Sequence, residues 1–374
     1  MDAVREFFRR QGLDESIFAA LEASADALPR FVRLRGSEEA QDSLEVKLRL
    51  ELGPAASLRR ASWLSDGGGC FLALTGGGGI RLCDCPSFRS GEVAGIDASS
   101  GFAVLALAPQ PGDDVLDLCC SPGGKLIMIA DMLHGEGSVT GVDIAADRLR
   151  VCRQLVLKSF SQRGASAGGG AGSAGAGGGS GVTAACCRLR LFEADGRFFD
   201  VGPGGRRVCS PASVKRARAT LVLDDGCCDS TTGGGTGSDS IERSRRRRLN
   251  KSGRARERRR LRAVAEADQA KGGAKRLYDR VLVDAECTHD GSLRHLLKSI
   301  AGGTAHVERT LLDPGRLAVL QDLQRSLIRR GFSLLRPGGT MVYSTCSQCE
   351  SQNDDIVEWL LSEEPAAELV PIDT

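Results

Sequence analysis

Two cysteines, Cys287 and Cys346, each stand just beyond a short apolar run, in Asp284-Ala285-Glu286-Cys287-Thr288 and Ser344-Thr345-Cys346-Ser347. Once deprotonated, a thiol held in such a place is a strong nucleophile. A third group lies upstream, Cys119-Cys120-Ser121-Pro122-Gly123-Gly124-Lys125. Its paired glycines let backbone N–H groups approach an anion, and a helix starting after them adds a favourable dipole. The pattern is neither GxGxxG nor GxxxxGK[ST], so a dinucleotide or P-loop site is not indicated. Asp143, 26 residues past Asp117, is placed to meet ribose hydroxyls, and Asp195 follows a later apolar run. Each alone has a plainer reading: a turn for the glycines, a helix cap for Asp143, a turn acid for Asp195, a buried thiol for either cysteine. Together they suit a nucleoside with an anionic tail. S-adenosylmethionine fits, with its carboxylate on the Gly loop, its ribose on Asp143 and its adenine near Asp195.

The elements that must position these groups are legible from periodicity. Asp114–Leu118 reads as a buried strand, and Lys125–His134 has helical apolar spacing. Ser138–Val142 reads as a second strand, Asp147–Phe160 as a helix with Asp147 at its N-cap, and Arg188–Phe192 as a third strand. Arg280–Val283 and Thr340–Ser344 read as fourth and fifth strands. Between them an amphipathic helix over Arg316–Leu335 is stopped by Pro337-Gly338-Gly339, and Asn353–Leu361 reads as a last helix. The alternation predicts an α/β fold with a Rossmann-like, mostly parallel sheet and helices on both faces. Ligands bind such sheets at the carboxyl ends of the strands. Every group named above falls there.

The first 90 residues are patterned differently. Asp14–Ala27 reads as a helix, and Phe31–Arg35, Leu44–Leu52, Phe71–Leu74 and Ile80–Cys83 read as strands separated by Gly-rich turns. We expect a small α+β module over 1–90 and a catalytic domain over 91–374. Two stretches interrupt the second: 164–181, which contains only Gly, Ala and Ser, and 203–276. The latter holds eleven arginines, one lysine and one acid between Arg243 and Arg262, a local charge of +11 in a chain of net +2. The first stretch cannot bury enough apolar area to offset its ordering entropy, and both are expected to be flexible insertions, with Ser240–Ala270 either a solvated basic helix or disordered until it meets a polyanion.

Composition bounds the rest. The 374 residues allow two or three domains, and with 41% hydrophobic but only 4% aromatic residues the core must be aliphatic. No apolar run approaches the ~20 residues that cross a bilayer. The start, MDAVREFFRRQGLDE, lacks the apolar h-region of a secretory signal. The fourteen cysteines are therefore expected as reduced thiols of an intracellular protein, nuclear, nucleolar or cytoplasmic. Cys346 and Cys349 form a CxxC with no second pair at metal spacing, so no metal is expected.

The segments Cys119 to Lys125, Asp143, Asp195, Asp284 to Cys287 and Thr345-Cys346-Ser347 resemble, in order, the motifs of the Sun family of RNA cytosine-C5 methyltransferases. Gly95-Ile96-Asp97-Ala98-Ser99-Ser100 is similar to the segment before that family's first strand. The resemblance covers about 95–361, interrupted by the two insertions. It implies S-adenosylmethionine held by Cys119, Cys120, Ser121, Pro122, Gly123, Gly124, Lys125, Asp143, Arg148, Asp195 and Asp284. It implies RNA (tRNA or rRNA) as partner, a protein acting as a monomer, and no membrane. Carbon 5 of cytosine is a poor nucleophile, but a thiolate adding to carbon 6 turns the ring into an enamine. The resemblance assigns that thiolate to Cys346 and assistance in elimination to Cys287. Asp284, protonated through burial, would bond the ring nitrogen and amino group, and Lys125 would position the base. The target must be unstacked or single-stranded.

The chain departs from the family pattern around Cys287. Glu286 replaces a proline, and Thr288-His289 replaces Ser-Gly. Glu286 is expected to raise the Cys287 pKa and slow release; His289 reads as a surface histidine. After Cys346, Gln352-Asn353-Asp354 stands for Glu-Asn-Glu, and beyond Leu361 there is no room for two closing strands. These departures support an alternative: an RNA-binding protein with impaired turnover, held to RNA by the arginine run. A methyltransferase acting on a protein or small molecule would have no use for the second thiol.

Overall fold

The structure, a computed structural model, describes residues 2–10, 12, 28–64, 69–76, 81–160, 187–203, 220–225 and 277–372. In chain order its elements are α1 (Asp2–Arg10), β1 (Arg30–Leu34), α2 (Glu38–Leu52), β2 (Ala56–Arg60), β3 (Phe71–Gly76), β4 (Val93–Gly95), α3 (Ala98–Leu107), β5 (Asp114–Asp117), α4 (Gly124–Met132), β6 (Ser138–Asp143), α5 (Ala146–Phe160), β7 (Arg188–Glu193), β8 (Thr220–Asp225), β9 (Tyr278–Asp284), α6 (Leu293–Ala301), α7 (Pro314–Leu334), β10 (Leu335–Ser344) and α8 (Asp354–Glu363). Six strands form the main sheet in the order β10-β9-β5-β6-β7-β8, parallel except for β8. Strand residues alternate between two cores. Val115, Val139, Leu189 and Leu282 meet α3, α4 and α5 through Val104, Leu126 and Val156. Leu116, Val142, Val281 and Val283 meet α7 through Leu327 and Leu334 on the other face. This is the expected doubly covered α/β sheet, and its strand order reverses between β5 and β9, the place where such sheets bind ligands.

Gly331 sets the distance of α7 from that sheet. A Cβ there would lie 2.8 Å from Val283 Cγ2 and 3.0 Å from Met341 Sδ. Gly331→Ala is expected to cost about 1–2 kcal/mol, overpacking outweighing the gain in helix propensity. A thermal melt that is unchanged or higher would show that α7 can move away freely.

A second sheet, β2-β3-β1-β4, is antiparallel. Its β4 comes from 93–95, beyond the expected boundary at 90. Arg35 pairs with Asp131 of α4 at 2.7 Å, Arg33 joins the same carboxylate, and Phe71 lies on Gly101 of α3. The small sheet is thus fastened to the large one by buried contacts. Helix α1 lies elsewhere: Val4, Phe7 and Phe8 meet Leu296, Val307, Leu311 and Cys349.

Several expectations are corrected. Leu44–Leu52 is helical, within α2, not a strand. Its apolar residues fall on every second position, yet only Leu44, Leu48 and Leu52 are buried while Val46 and Leu50 are exposed. Ser37 caps the start by accepting from Ala40 N, and Gly53, at φ 75°, ends it. Leu82–Asp84 is a 3-10 turn, where a strand over Ile80–Cys83 was expected. Asp147 lies in the first turn of α5, where it pairs with Arg150, and does not cap it. Within the expected insertion 203–276, Thr220–Asp225 forms the edge strand β8, antiparallel to β7. The helix expected over Asp14–Ala27, the stretch 164–181 and the arginine run lie outside the described residues. Among the described residues, β10 is the opposite edge of the sheet and no strand follows α8. No helix among them is long and apolar enough to cross a membrane.

Candidate active site

Register brings the two thiols together. In the parallel pair β9–β10, Ser344 stands opposite Asp284, and Ala285 N donates to Ser344 O at 3.0 Å. Cys287 is three residues past one member of that pair and Cys346 two past the other. Their Sγ atoms lie 3.4 Å apart. A hydrogen bond from Cys346, and then contacts with His289, bring the Cys287 thiol down to about 5 despite its burial. The same hydrogen bond holds the Cys346 proton well above the ordinary thiol range. The pair therefore carries one negative charge, shared across a thiol–thiolate contact. The expectation that Glu286 would raise the Cys287 pKa is overturned. Glu286 is exposed, its carboxylate 3.9 Å from Arg316.

His289 is not a surface residue either. It is partly buried, with Nδ1 2.8 Å from Cys346 Sγ and 3.6 Å from Cys287 Sγ. Its ring stacks at 4.9 Å on that of His295. The loop carrying it is tied to the loop carrying Cys346 through Asp290, which is fully buried. Asp290 accepts from Ser347 Oγ and Gln348 N, each at 2.8 Å, and from Thr288 Oγ1. Gln352, also fully buried, donates to Thr288 Oγ1 and Ser347 Oγ. Gly291 N donates to Cys346 O at 2.9 Å, an approach that any Cβ at 291 would block.

Beside the thiols, Lys125 Nζ lies 2.6 Å from Asp284 Oδ2 and 2.9 Å from Ser100 Oγ. Ser344 Oγ donates to the other Asp284 oxygen at 2.9 Å. Asp284 is only partly buried, and both of these contacts donate to it. Asp117, at the end of β5, is a buried acid. Burial, with the Asp284 charge adding to it, pushes Asp117 up to about 7. Between its ordinary pKa of 3.8 and about 7, the unfolded chain has lost this proton while the folded one keeps it. Raising pH through that window therefore favours unfolding. Asp117→Asn keeps an oxygen for Cys119 N and loses the titration. Its stability relative to the parent should climb between pH 4 and 7 by about 3 kcal/mol and then level off. Parallel urea-melt profiles for the two proteins would refute this.

The Gly loop sits across the sheet's reversal point. Gly123, at φ 109°, precedes α4, and a Cβ there would meet Cys152 Sγ at 2.9 Å. Asp143 braces the loop, accepting from Ser121 N at 3.3 Å and Ala145 N at 2.8 Å. Arg148 donates to Ser121 O at 2.7 Å, so it holds the loop, not the open crevice. Cys120 is turned into the core, and only its backbone is available to a ligand. Asp195 caps the turn after β7 and pairs with Arg197 at 2.7 Å. Ser121 Oγ is buried with no partner among the described residues, a donor left for an anionic group on the Gly loop. The loop thus fits the carboxylate end of S-adenosylmethionine, with Asp143 and Asp195 at the next two strand ends. Sequence reading missed Ser100, Asp117, His289, Asp290 and Ser344. Only His289 and Asp290 carried a signal, two titratable side chains within three residues of Cys287.

Comparison with known proteins agrees with this geometry. A family model described as 16S rRNA methyltransferase RsmB/F matches residues 104–158 and 241–374. An rRNA (cytosine-C(5))-methyltransferase, NOP2C, of Arabidopsis thaliana is 26% identical over 302 residues, covering 78% of this chain and 46% of its own. The tRNA (cytosine(72)-C(5))-methyltransferase NSUN6 of Homo sapiens is 23% identical, covering 73% and 38%. The chain spans less than half the length of these curated relatives. Among solved structures, a methyltransferase homolog protein from Pyrococcus horikoshii superimposes with a TM-score of 0.52 at 18% identity, covering 97% of this chain and 83% of its own, and shares the fold. The matched residues span β9, both thiols and the loops that join them, together with the last turn of α3 and the Gly-loop edge through most of α5, so the chain belongs to the RsmB/F methyltransferase family.

Proposed function

We propose that the chain is an S-adenosylmethionine-dependent RNA (cytosine-C5) methyltransferase acting on tRNA or rRNA. The observation that carries this reading is the 3.4 Å contact between Cys287 and Cys346, one strand away from the Gly loop. Transfer to nitrogen or oxygen would need neither thiol, and relatives named for cytosine-C5 methylation of rRNA and tRNA support the assignment. S-adenosylmethionine, when bound, supplies a methyl group on a sulfonium. The chain's own residues do the rest. Cys346 adds as thiolate to carbon 6 of an unstacked cytosine and activates carbon 5. Lys125 and Asp284 meet the polar edge of the ring. After transfer the carbon 5 proton is lost to Cys287 and the bond from Cys346 to carbon 6 breaks, releasing the base. The reading without turnover is less well supported: Glu286 is exposed and the thiol contact is intact. Incubation with methyl-labelled cofactor and separated tRNA and rRNA, followed by digestion to nucleosides, should place label in 5-methylcytidine. No label with either RNA would overturn the proposal.

A further inference from the structure

We propose that His289 is a catalytic residue, the proton partner of Cys346: its Nδ1 takes the thiol proton before attack and returns it when the thiolate is released. This rests on the reading of Cys346 as the nucleophile. Three features of the structure carry it.

The first is contact. Nδ1 is 2.8 Å from Cys346 Sγ and 3.6 Å from Cys287 Sγ, so the nearer thiol is the one assigned to attack. For Nδ1 to accept, the neutral ring carries its hydrogen on Nε2. The step balances. The Cys346 S–H bond breaks, its proton goes to Nδ1, and the sulfur keeps the electron pair with which it bonds carbon 6. On elimination that pair returns to sulfur, and the imidazolium gives the proton back.

The second is backbone. His289 has φ +60°, the left-handed region that L side chains rarely adopt. Residues held there by their surroundings cluster at functional sites. Here the surroundings are specific. Thr288 and Asp290, on either side, are both buried in the network that also holds Ser347 and Gln348. Ser292 N donates to His289 O at 3.1 Å, and Gly291 N to Cys346 O at 2.9 Å. The loop is built to hold one imidazole against one sulfur.

The third is electrostatic surroundings. Five groups face His289: Cys287 and Cys346 from the two site loops, Glu286 from its own loop, Arg316 from α7 and His295 from α6. The hydrogen bond to Cys287 raises the His289 pKa, burial opposes, Glu286 adds to the rise and Arg316 subtracts. His295 moves the other way, lowered by burial and then by His289 itself. A basic imidazole 2.8 Å from a thiol can take its proton and hold the resulting thiolate as an ion pair, the arrangement that keeps a cysteine nucleophilic below its ordinary pKa.

The test reads the thiol directly and needs neither RNA nor cofactor. Alkylation of Cys346 by iodoacetamide is followed from pH 5 to 10, each modified cysteine being assigned by peptide mass spectrometry. The parent and a Cys287→Ser variant are compared, each with and without His289→Asn; asparagine tolerates positive φ. We expect rapid alkylation of Cys346 near pH 6 in the Cys287→Ser protein. Adding His289→Asn should slow it by at least about tenfold and move the profile towards an ordinary thiol. Exogenous imidazole should restore part of the rate at pH 6. Thermal melts guard against misfolding; should the asparagine variant melt early, His289→Gln and the imidazole arm serve instead. A Cys346 profile that is the same with and without His289 would overturn the proposal. So would a fast phase abolished by a chelator: Cys287, His289 and Cys346 offer donor atoms within 4.8 Å of one another, and a bound soft cation would then be what lowers the thiol. Failure of the RNA assay with a His289-dependent profile would remove the substrate reading and leave the dyad standing.

Discussion

Cys346→Ala should abolish methyl transfer, while Cys287→Ala should leave protein covalently attached to RNA. The two outcomes follow from geometry that treats the sulfurs unequally. Cys346 has the imidazole at 2.8 Å and is partly exposed; Cys287 is fully buried, with the imidazole at 3.6 Å. Only the former can present its sulfur to a ring entering from the crevice. Without it no bond to carbon 6 forms, and the loss should reach the assay floor, at least about a thousandfold. Without Cys287 the bond still forms and the methyl group still transfers, but the group that takes the carbon 5 proton is gone. The intermediate then persists and runs on a denaturing gel as an RNA–protein adduct. Boiling in detergent separates it from non-covalent complexes. An adduct in Cys346→Ala, or turnover in that variant, would reverse the roles or end the two-thiol reading.

How much of the site and fold is legible in the sequence depends on the kind of signal. The strand-end motifs are, because each apolar run ends where the sheet ends, and parallel register then aligns the loops beyond. Ser344 opposite Asp284 is enough to bring Cys346 to Cys287. Leu44–Leu52 misleads because its strict alternation is the period of a strand. The helix uses every second member of that set, positions 44, 48 and 52, and leaves Val46 and Leu50 in solvent. The caps, Ser37 and Gly53, are the decisive cues and lie outside the run. Strand β8 is hidden by its surroundings, a Thr-Leu-Val-Leu run inside a Gly- and Arg-rich stretch, yet Leu223 pairs with Leu191 and Asp224 with Arg188. His289 reads as a surface residue because nothing in one-dimensional spacing tells that residue 289 meets residue 346. That contact depends on Asp290, a buried carboxylate whose partners come from 57 and 58 residues away.

Asp290 is accordingly where the largest loss of stability is expected. Asp290→Ala would strand the Gln348 N–H and remove the acceptor shared by the buried Thr288 and Ser347 hydroxyls. Each buried donor left unpaired costs about 1–3 kcal/mol, so the variant should lose about 5 kcal/mol. Asp290→Asn separates chemistry from packing. Its one oxygen can keep the rigid Gln348 N–H, and its NH₂ then faces two hydroxyls, which can rotate to accept. Serine and threonine have that freedom and a backbone amide does not. The asparagine variant should therefore lose only about 1–2 kcal/mol. Urea titration of the three proteins measures both values. The same network spans the thiols, so the alanine variant that remains folded should also lose the low-pH alkylation of the pair, and the asparagine variant should keep it. Equal losses for alanine and asparagine would mean that the carboxylate is held for its charge, not as the hinge point of two loops.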